Sequence, residues 1–203
     1  MRVDVAATVG SDCVTVAEVD ARESALRDGG SSQALPKSGT SEARQLRRWI
    51  TQVLVAERVV AAESKALALC HAHAPSEADL LPDEVARLEI GSVAASTLSL
   101  PAGCAVFAHV TASVRVGAAQ VLDYHRRNPL RFVGPPTTGR WQRPPAVPDF
   151  EEIEPVIAAH LLAAARRREY RRWLDARCAE VVVLARGYEH PGDPRQPDNT
   201  HRH

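Results

Sequence analysis

The feature that most constrains the fold is a proline-rich segment between two helical stretches. Residues 133–149 contain five prolines and two glycines. Proline fixes φ and lacks a backbone donor, so this composition is typical of an extended loop without a fold of its own. Before the loop, Asn128-Pro129 stops a helix, because a residue that precedes proline is pushed out of the α region. A second helical stretch follows the loop, so the sequence predicts two helices joined by a loop.

Composition and charge favour a helical protein without a general affinity for polyanions. The chain has 203 residues, only 4% are aromatic, and alanine, valine, leucine and arginine dominate. Lysine plus arginine and aspartate plus glutamate both number 25, so no net field attracts nucleic acid or an anionic membrane. The first residues lack the apolar core of a signal peptide, and no apolar run has the length of a membrane span. We therefore expect a mainly α protein in the cytoplasm, with neither nucleic acid nor membrane as a partner.

The sequence carries none of the common catalytic signatures. GxSxG, HExxH, the P-loop and GxGxxG are absent, so the usual hydrolase, metalloprotease and nucleotide-binding chemistries lack support. Cys13, Cys70, Cys104 and Cys178 are scattered without a CxxC pair and are expected to be reduced thiols. These absences predict a protein without enzymatic activity.

Short strand patterns stand near both ends of the chain. Val3–Val9 is rich in β-formers, residues 10–12 have the composition of a turn, and Cys13-Val14 follows as a second short strand. Thr15-Val16-Ala17-Glu18 has the spacing of a capping box, which predicts a helix over residues 16–27. Near the other end, residues 181–184 form an apolar run typical of a strand.

Two long helices are predicted to supply most of the core. The first begins at Thr40 or Ser41, runs for about 25 residues and repeats apolar residues at helical spacing. The second is expected to begin effectively near Glu154, because Pro155 is poorly placed inside a helix, and to end near Ala179. The stripe of the first helix consists of Leu46, Trp49, Ile50, Val53, Leu54, Glu57 and Val60, and the buried side of the second of Val156, Ile157, His160, Leu161 and Ala164.

Several stretches of this chain resemble the parvulin-type foldases of the SurA and PrsA kind. Residues 7–20 resemble the start of that family, in which a strand and a tight turn lead into a capped helix, and residues 46–58 resemble its long second helix. Residues 114–132 resemble the helix and Asn-Pro stop that precede the prolyl isomerase domain, and residues 150–177 resemble the helix that follows it. The loop at 133–149 is too short to hold such a domain.

The resemblance implies a SurA N-terminal-like helical chaperone domain without the isomerase. It would form one body over residues 1–186, with the loop at 133–149 in place of the isomerase domain. A small sheet would pair the strand at 181–184 with residues 5–9. A polar tail at 187–203 has no counterpart in the family.

The resemblance also implies that the protein binds polypeptide in an apolar cradle between helices. We therefore expect a non-enzymatic chaperone or maturation factor for a protein or peptide client, with no cofactor required. The candidate client-binding residues are Trp49, Ile50 and Val53 on one helix and Ile153, Ile157 and Leu161 on another.

The tail at 187–203 suggests a different chemistry. His190, His201 and His203 stand among carboxylates, and such groups bind Zn²⁺, Ni²⁺ or Cu²⁺, although their spacing matches no closed site. The same tail is also compatible with docking to a partner or with simple solvation. The sequence thus leaves two further functions open, a metal-handling accessory protein and a structural subunit of a larger complex.

An arginine-rich stretch in the last long helix is the remaining candidate for ligand binding. Residues 166–172 contain five arginines, which could grip phosphates. On a helix they spread around the circumference, with Glu169 and Asp175 close by. This spacing favours a solvated, salt-bridged face over a nucleic-acid site.

Overall fold

The computed structural model describes residues 4–29, 34–129, 131 and 149–193. Within these ranges the chain is mainly helical and has one small antiparallel sheet, as the sequence predicts. The strands are β1 Val5–Val9, β2 Asp12–Thr15 and β3 Val182–Leu184. The helices are α1 Val16–Asp28, α2 Ser41–Ala66, α3 Glu77–Leu80, α4 Glu84–Ile90, α5 Ser92–Thr97, α6 Pro101–Val110, α7 Ala118–Arg127 and α8 Phe150–Val181.

The sheet joins the two ends of the described chain. Its strand order is β2-β1-β3, and both pairings are antiparallel. β1 and β2 form a hairpin, and β3 pairs with β1 in a register that places Ala7 opposite Leu184 and Val9 opposite Val182. The predicted pairing of an N-terminal with a C-terminal strand is therefore confirmed.

α1 begins with the predicted capping box. The Thr15 hydroxyl accepts a hydrogen bond from the Glu18 N–H at 3.2 Å, and the Glu18 carboxylate accepts one from the Thr15 N–H at 2.8 Å. Arg58 of α2 also binds this carboxylate. The hydrogen bond from the Thr15 backbone is the main cause that lowers the pKa of Glu18 below its usual value of 4.5. The ionised carboxylate therefore stabilises the joint between β2 and α1.

We expect Glu18→Gln to weaken the fold in a pH-dependent way. The ionised carboxylate contributes stability above the unfolded-state pKa near 4.5, and this contribution is lost as the pH falls through the lower folded-state pKa. Thermal unfolding temperatures of variant and parent should differ at pH 7 and converge as the pH falls through the lowered pKa of Glu18. Glu154→Gln, outside the cap, is the control. Equal losses with the same pH profile in both variants would mean that overall charge, not the cap, is responsible.

α2 forms the centre of the main core. Thr40 caps it by accepting a hydrogen bond from the Ala43 N–H at 3.2 Å. Its buried residues include Ile50, Val55 and Val60, which lie on different sides of the helix. α2 accordingly packs against β1, α1, α5, α6 and α8. Most residues of the apolar stripe predicted for this helix therefore pack against other elements of the fold.

α8 is longer than predicted and joins two separate apolar clusters. It begins at Phe150 rather than near Glu154 and continues through Pro155, although the missing N–H of a proline costs one helical hydrogen bond. Its first half packs on α7 through a small cluster, and its second half packs on the main core. Burial on both sides of the proline, at Ile153 and Ile157, explains why the helix is not interrupted. The prediction that Val156 is buried is wrong, because this side chain is 53% exposed.

Tyr170 anchors the second half of α8. It is fully buried, and its hydroxyl donates to Thr97 Oγ1 at 2.7 Å, while the Thr97 hydroxyl donates to the Ala94 carbonyl. The Tyr170 ring also lies 5.1 Å from the Phe107 ring. Burial raises the pKa of Tyr170 well above its usual value, so the phenol stays a neutral donor. One side chain therefore ties α8 to α5 and α6.

The arginine-rich stretch of α8 is not solvated throughout. The Arg167 side chain is only 7% exposed and binds Glu89 of α4 at 2.6 Å. Arg171, by contrast, is exposed and pairs with Asp175 of its own helix. The sequence prediction fails at Arg167 because its partner comes from another element. A buried guanidinium requires such a partner, since an unpaired charge there is costly.

Gly103 of α6 lies directly against the backbone at the end of α5. A Cβ atom on Gly103 would lie 1.8 Å from the Thr97 carbonyl oxygen, far inside van der Waals contact. Only glycine therefore allows α6 to pack against the end of α5 in this arrangement.

We expect Gly103→Ala to destabilise the protein by more than about 2 kcal/mol, because the backbone of α6 must move to relieve the overlap. The free energy of unfolding from urea titrations measures this effect. Gly117→Ala is the matched control, since a Cβ there meets only the Gln120 side chain, at 4.0 Å. Two variants of equal stability would contradict the close approach.

The predicted loop and tail are described only in part. The loop at 133–149 lies outside the described residues apart from Asp149. Of the tail at 187–203, residues 187–193 are described, and its beginning packs on α2. Arg48 Nε donates to the Gly187 carbonyl at 3.2 Å, and Arg47 donates to the Tyr188 hydroxyl at 3.3 Å. The tail is therefore not separate from the body at its start.

Across the described helices, none combines the length and the apolarity that a membrane span requires.

Candidate binding site

A pocket of about 620 Å³ opens between the main core and β3. Four parts of the fold line it: the middle of α2, the junction of α4 with α5, the last turns of α8, and β3. His190, beyond β3, also lies on its lining. Pockets of this volume are the size that proteins use for small ligands or for a few side chains of a partner.

Apolar side chains form the floor of the pocket. Val55 of α2, Ile90 of α4 and Leu174 of α8 are all buried and belong to the main core. Val182 and Leu184 of β3 contribute the side wall. They stand opposite Val9 and Ala7, whose side chains are buried, so they share the helix-facing side of the sheet.

Gln52 places a side-chain amide in this apolar surrounding. Gln52 lines the pocket beside Val55 of the same helix. Its Nε2 atom is buried without a hydrogen-bond partner in the described part of the chain. An unsatisfied buried donor costs roughly 1–3 kcal/mol. A carboxamide has both a donor and an acceptor and is therefore complementary to a peptide group. A turn of the Gln52 side chain toward a ligand oxygen in the pocket would remove this cost.

Charged groups stand at one side of the pocket. Arg171 and Asp175 of α8 are both exposed, and their closest nitrogen-oxygen distance is 3.8 Å. The Arg171 guanidinium lies over Gly91, where a Cβ atom would meet it at 3.7 Å. Gly91 has φ +86°, a conformation that favours glycine, and it forms the joint between α4 and α5. The pocket thus has an apolar floor with an amide and two charges around it.

Cys178 is the nucleophilic side chain in the lining, and its environment suppresses its reactivity. Burial is the main cause that raises the pKa of this thiol to about 11, and the charge of Asp175 adds to the shift. The thiolate is the reactive form of cysteine, and this pKa keeps the Cys178 thiol protonated at neutral pH. This is consistent with a binding pocket, not with a site for covalent catalysis by this thiol.

We expect alkylation of Cys178 by iodoacetamide to be slow at neutral pH and to accelerate about tenfold per pH unit between pH 8 and 10, because only the thiolate reacts. A variant with Cys13→Ser, Cys70→Ser and Cys104→Ser isolates this thiol for mass spectrometry. Asp175→Asn should speed the reaction at pH 8 by removing the charge that raises the pKa. A rate that levels off near pH 9 would contradict the assigned environment.

None of the six residues predicted to bind a client lines this pocket. Ile50 and Val53 are buried in the main body, and half-buried Trp49 donates from Nε1 to the Ser92 hydroxyl at 3.0 Å. The other three lie in or against the α7–α8 cluster, which is separate from the main core. Ile50, Val53, Ile153 and Ile157 are buried and lie outside the pocket lining, so their role in client binding stays a prediction.

Of the three histidines predicted to bind a metal, the structure describes only His190. His190 is exposed, and its Nδ1 accepts a hydrogen bond from the Gly192 N–H at 3.0 Å. His201 and His203 lie outside the described residues. Over residues 4–29, 34–129 and 149–193 no three His, Cys, Asp or Glu side chains come together as metal ligands. A Zn²⁺, Ni²⁺ or Cu²⁺ site in the tail stays a prediction.

Comparison with known proteins gives one match, at the N-terminal end. Residues 5–42 match a family of unknown function, DUF7158. This stretch covers β1, β2 and α1 and ends at the start of α2, before Gln52 and the other pocket residues. No curated protein and no solved structure matches the chain. The resemblance to parvulin-type foldases therefore stays a prediction.

Proposed function

We propose that this protein binds a polypeptide segment of a client protein in the pocket beside β3 and acts as a non-enzymatic chaperone or maturation factor. The observation that carries the proposal is the combination, in one pocket, of an apolar floor, a bordering strand edge and the buried Nε2 atom of Gln52, which has no hydrogen-bond partner among the described residues. An apolar floor accepts side chains, and an amide accepts a peptide group. A polypeptide supplies both.

The arrangement of α7 and α8 also supports this function. These helices lie on either side of the proline-rich loop, and they pack together through Val121, Ile153 and Ile157. The chain before the loop and the chain after it are thus held side by side by their own apolar contacts. This arrangement fits a polypeptide-binding body in which a short loop takes the place of the isomerase domain that the foldases carry.

We expect Ala179→Trp to abolish most peptide binding without unfolding the protein. Ala179 lines the pocket but is exposed on α8, so an indole there fills the entrance and leaves the core unchanged. An array of 12-residue peptides of varied sequence identifies a binding peptide, and calorimetry then gives its affinity. The variant should lose at least about tenfold, which is about 1.4 kcal/mol.

Ala176→Trp is the matched control, because Ala176 is equally an exposed alanine of α8 but does not line the pocket. It should bind the peptide as the parent does. No peptide bound by the parent chain, or equal affinity in the two tryptophan variants, would contradict binding at this pocket.

A further inference from the structure

β3 is an edge strand, and its outer side adjoins the pocket. The strand order β2-β1-β3 leaves one side of β3 without a neighbouring strand. Val182 and Leu184, which belong to β3, line the pocket, whereas no residue of β2, the strand at the other edge, does so. The two edges of this sheet therefore differ, because the strand at the β3 edge lines the pocket described above and the strand at the β2 edge does not.

The hydrogen bonds between β1 and β3 show which backbone groups face outward. Gly10 N–H donates to the Val181 carbonyl at 2.8 Å, and Ala185 N–H donates to the Ala6 carbonyl at 2.9 Å. In an antiparallel ladder the paired residues alternate, so Val183 directs its N–H and C=O toward β1. The N–H and C=O of Leu184 and the C=O of Val182 consequently point away from the sheet. The Val182 N–H is already used, since it donates to the Cys178 carbonyl at the end of α8.

These three outward groups have no hydrogen-bond partner among residues 4–29, 34–129, 131 and 149–193. A row of unpaired donors and acceptors along a strand is the template that an added strand recognises. Natural edges are often protected by charged side chains or by proline. β3 has neither, because it consists of two valines and a leucine, and Val183 is 70% exposed.

We infer that the client segment binds as a fourth strand on the outer edge of β3, an inference that rests on the proposed function. In the antiparallel orientation Leu184 exchanges two hydrogen bonds with one residue of the incoming strand, and the Val182 carbonyl accepts one more. Residues opposite Val182 and Leu184 direct their side chains to the same side of the sheet, which is the pocket side. Backbone pairing supplies affinity, and the pocket supplies selection for side chains.

Leu184→Pro tests this inference against Leu184→Ala. Both substitutions shorten the side chain that lines the pocket, but only proline removes the outward N–H, and proline is tolerated in an edge strand when that N–H has no partner in the sheet. The probe is the tightest-binding peptide of the array, and calorimetry gives its affinity for each variant. We expect the proline variant to bind at least about tenfold more weakly than the alanine variant. Equal affinities would overturn strand pairing.

N-methylated peptides test the same point with the unaltered protein. Two versions of the peptide are made, each with methyl groups on every second backbone nitrogen, in opposite frames. In a strand paired along one edge, alternate N–H groups face the partner and the others face away. One frame should therefore lose binding and the other should retain most of it. Equal effects of the two frames would overturn the inference even if Leu184→Pro failed to fold.

The outcomes separate this inference from the proposed function. Binding that is sensitive to Ala179→Trp but not to Leu184→Pro or to the methylation frame would keep the pocket and reject the added strand. Binding insensitive to Ala179→Trp would reject the pocket itself. Sedimentation velocity without peptide tests a second copy as the occupant. Concentration-dependent dimers in the Leu184→Ala variant that vanish in Leu184→Pro would assign the edge to another copy of this chain and overturn the inference.

Discussion

The hydrogen bond from Tyr170 to Thr97 is the interaction on which the position of α8 depends. It places a donor and an acceptor together inside the apolar core, where leaving either unpaired is costly. Because α8 runs directly into β3, the position of Tyr170 also sets where Leu174, Cys178 and the edge strand lie. The geometry of the pocket therefore depends on the buried phenol of Tyr170, which lies one helical turn before the lining residue Leu174.

The elements that could be predicted from the sequence are those whose physical cause lies within a few neighbouring residues. The capping box at Thr15 and Glu18 is a reciprocal pair of hydrogen bonds over four residues, and Asn128-Pro129 restricts its own backbone. The pairing of β1 with β3 required the foldase resemblance, because the strands are far apart in the sequence. The start of α8 was misplaced because Pro155 is a local signal that nonlocal packing of Ile153 and Ile157 overrides.

The candidate site was not predictable from the apolar stripes. Apolar periodicity identifies residues that leave water, and in this fold Ile50, Val53 and Ile157 are buried outside the lining of the pocket. The pocket combines residues from four parts of the chain that no pattern brings together. One signal was present in the sequence: Gln52 is a polar residue on a helix of the main core, between Thr51 and Val53, both of which are buried. Arg167 shows the same limit, since its partner Glu89 lies in another helix.

The separation of the α7–α8 cluster from the main core makes the chain between these helices modular. Val121, Ile153 and Ile157 hold the two helices together with contacts that do not involve the main core. The entropy cost of a longer connection rises only with the logarithm of its length. A longer connection between residues 131 and 149 therefore adds little entropy cost, and the apolar contacts that hold α7 against α8 do not depend on its length.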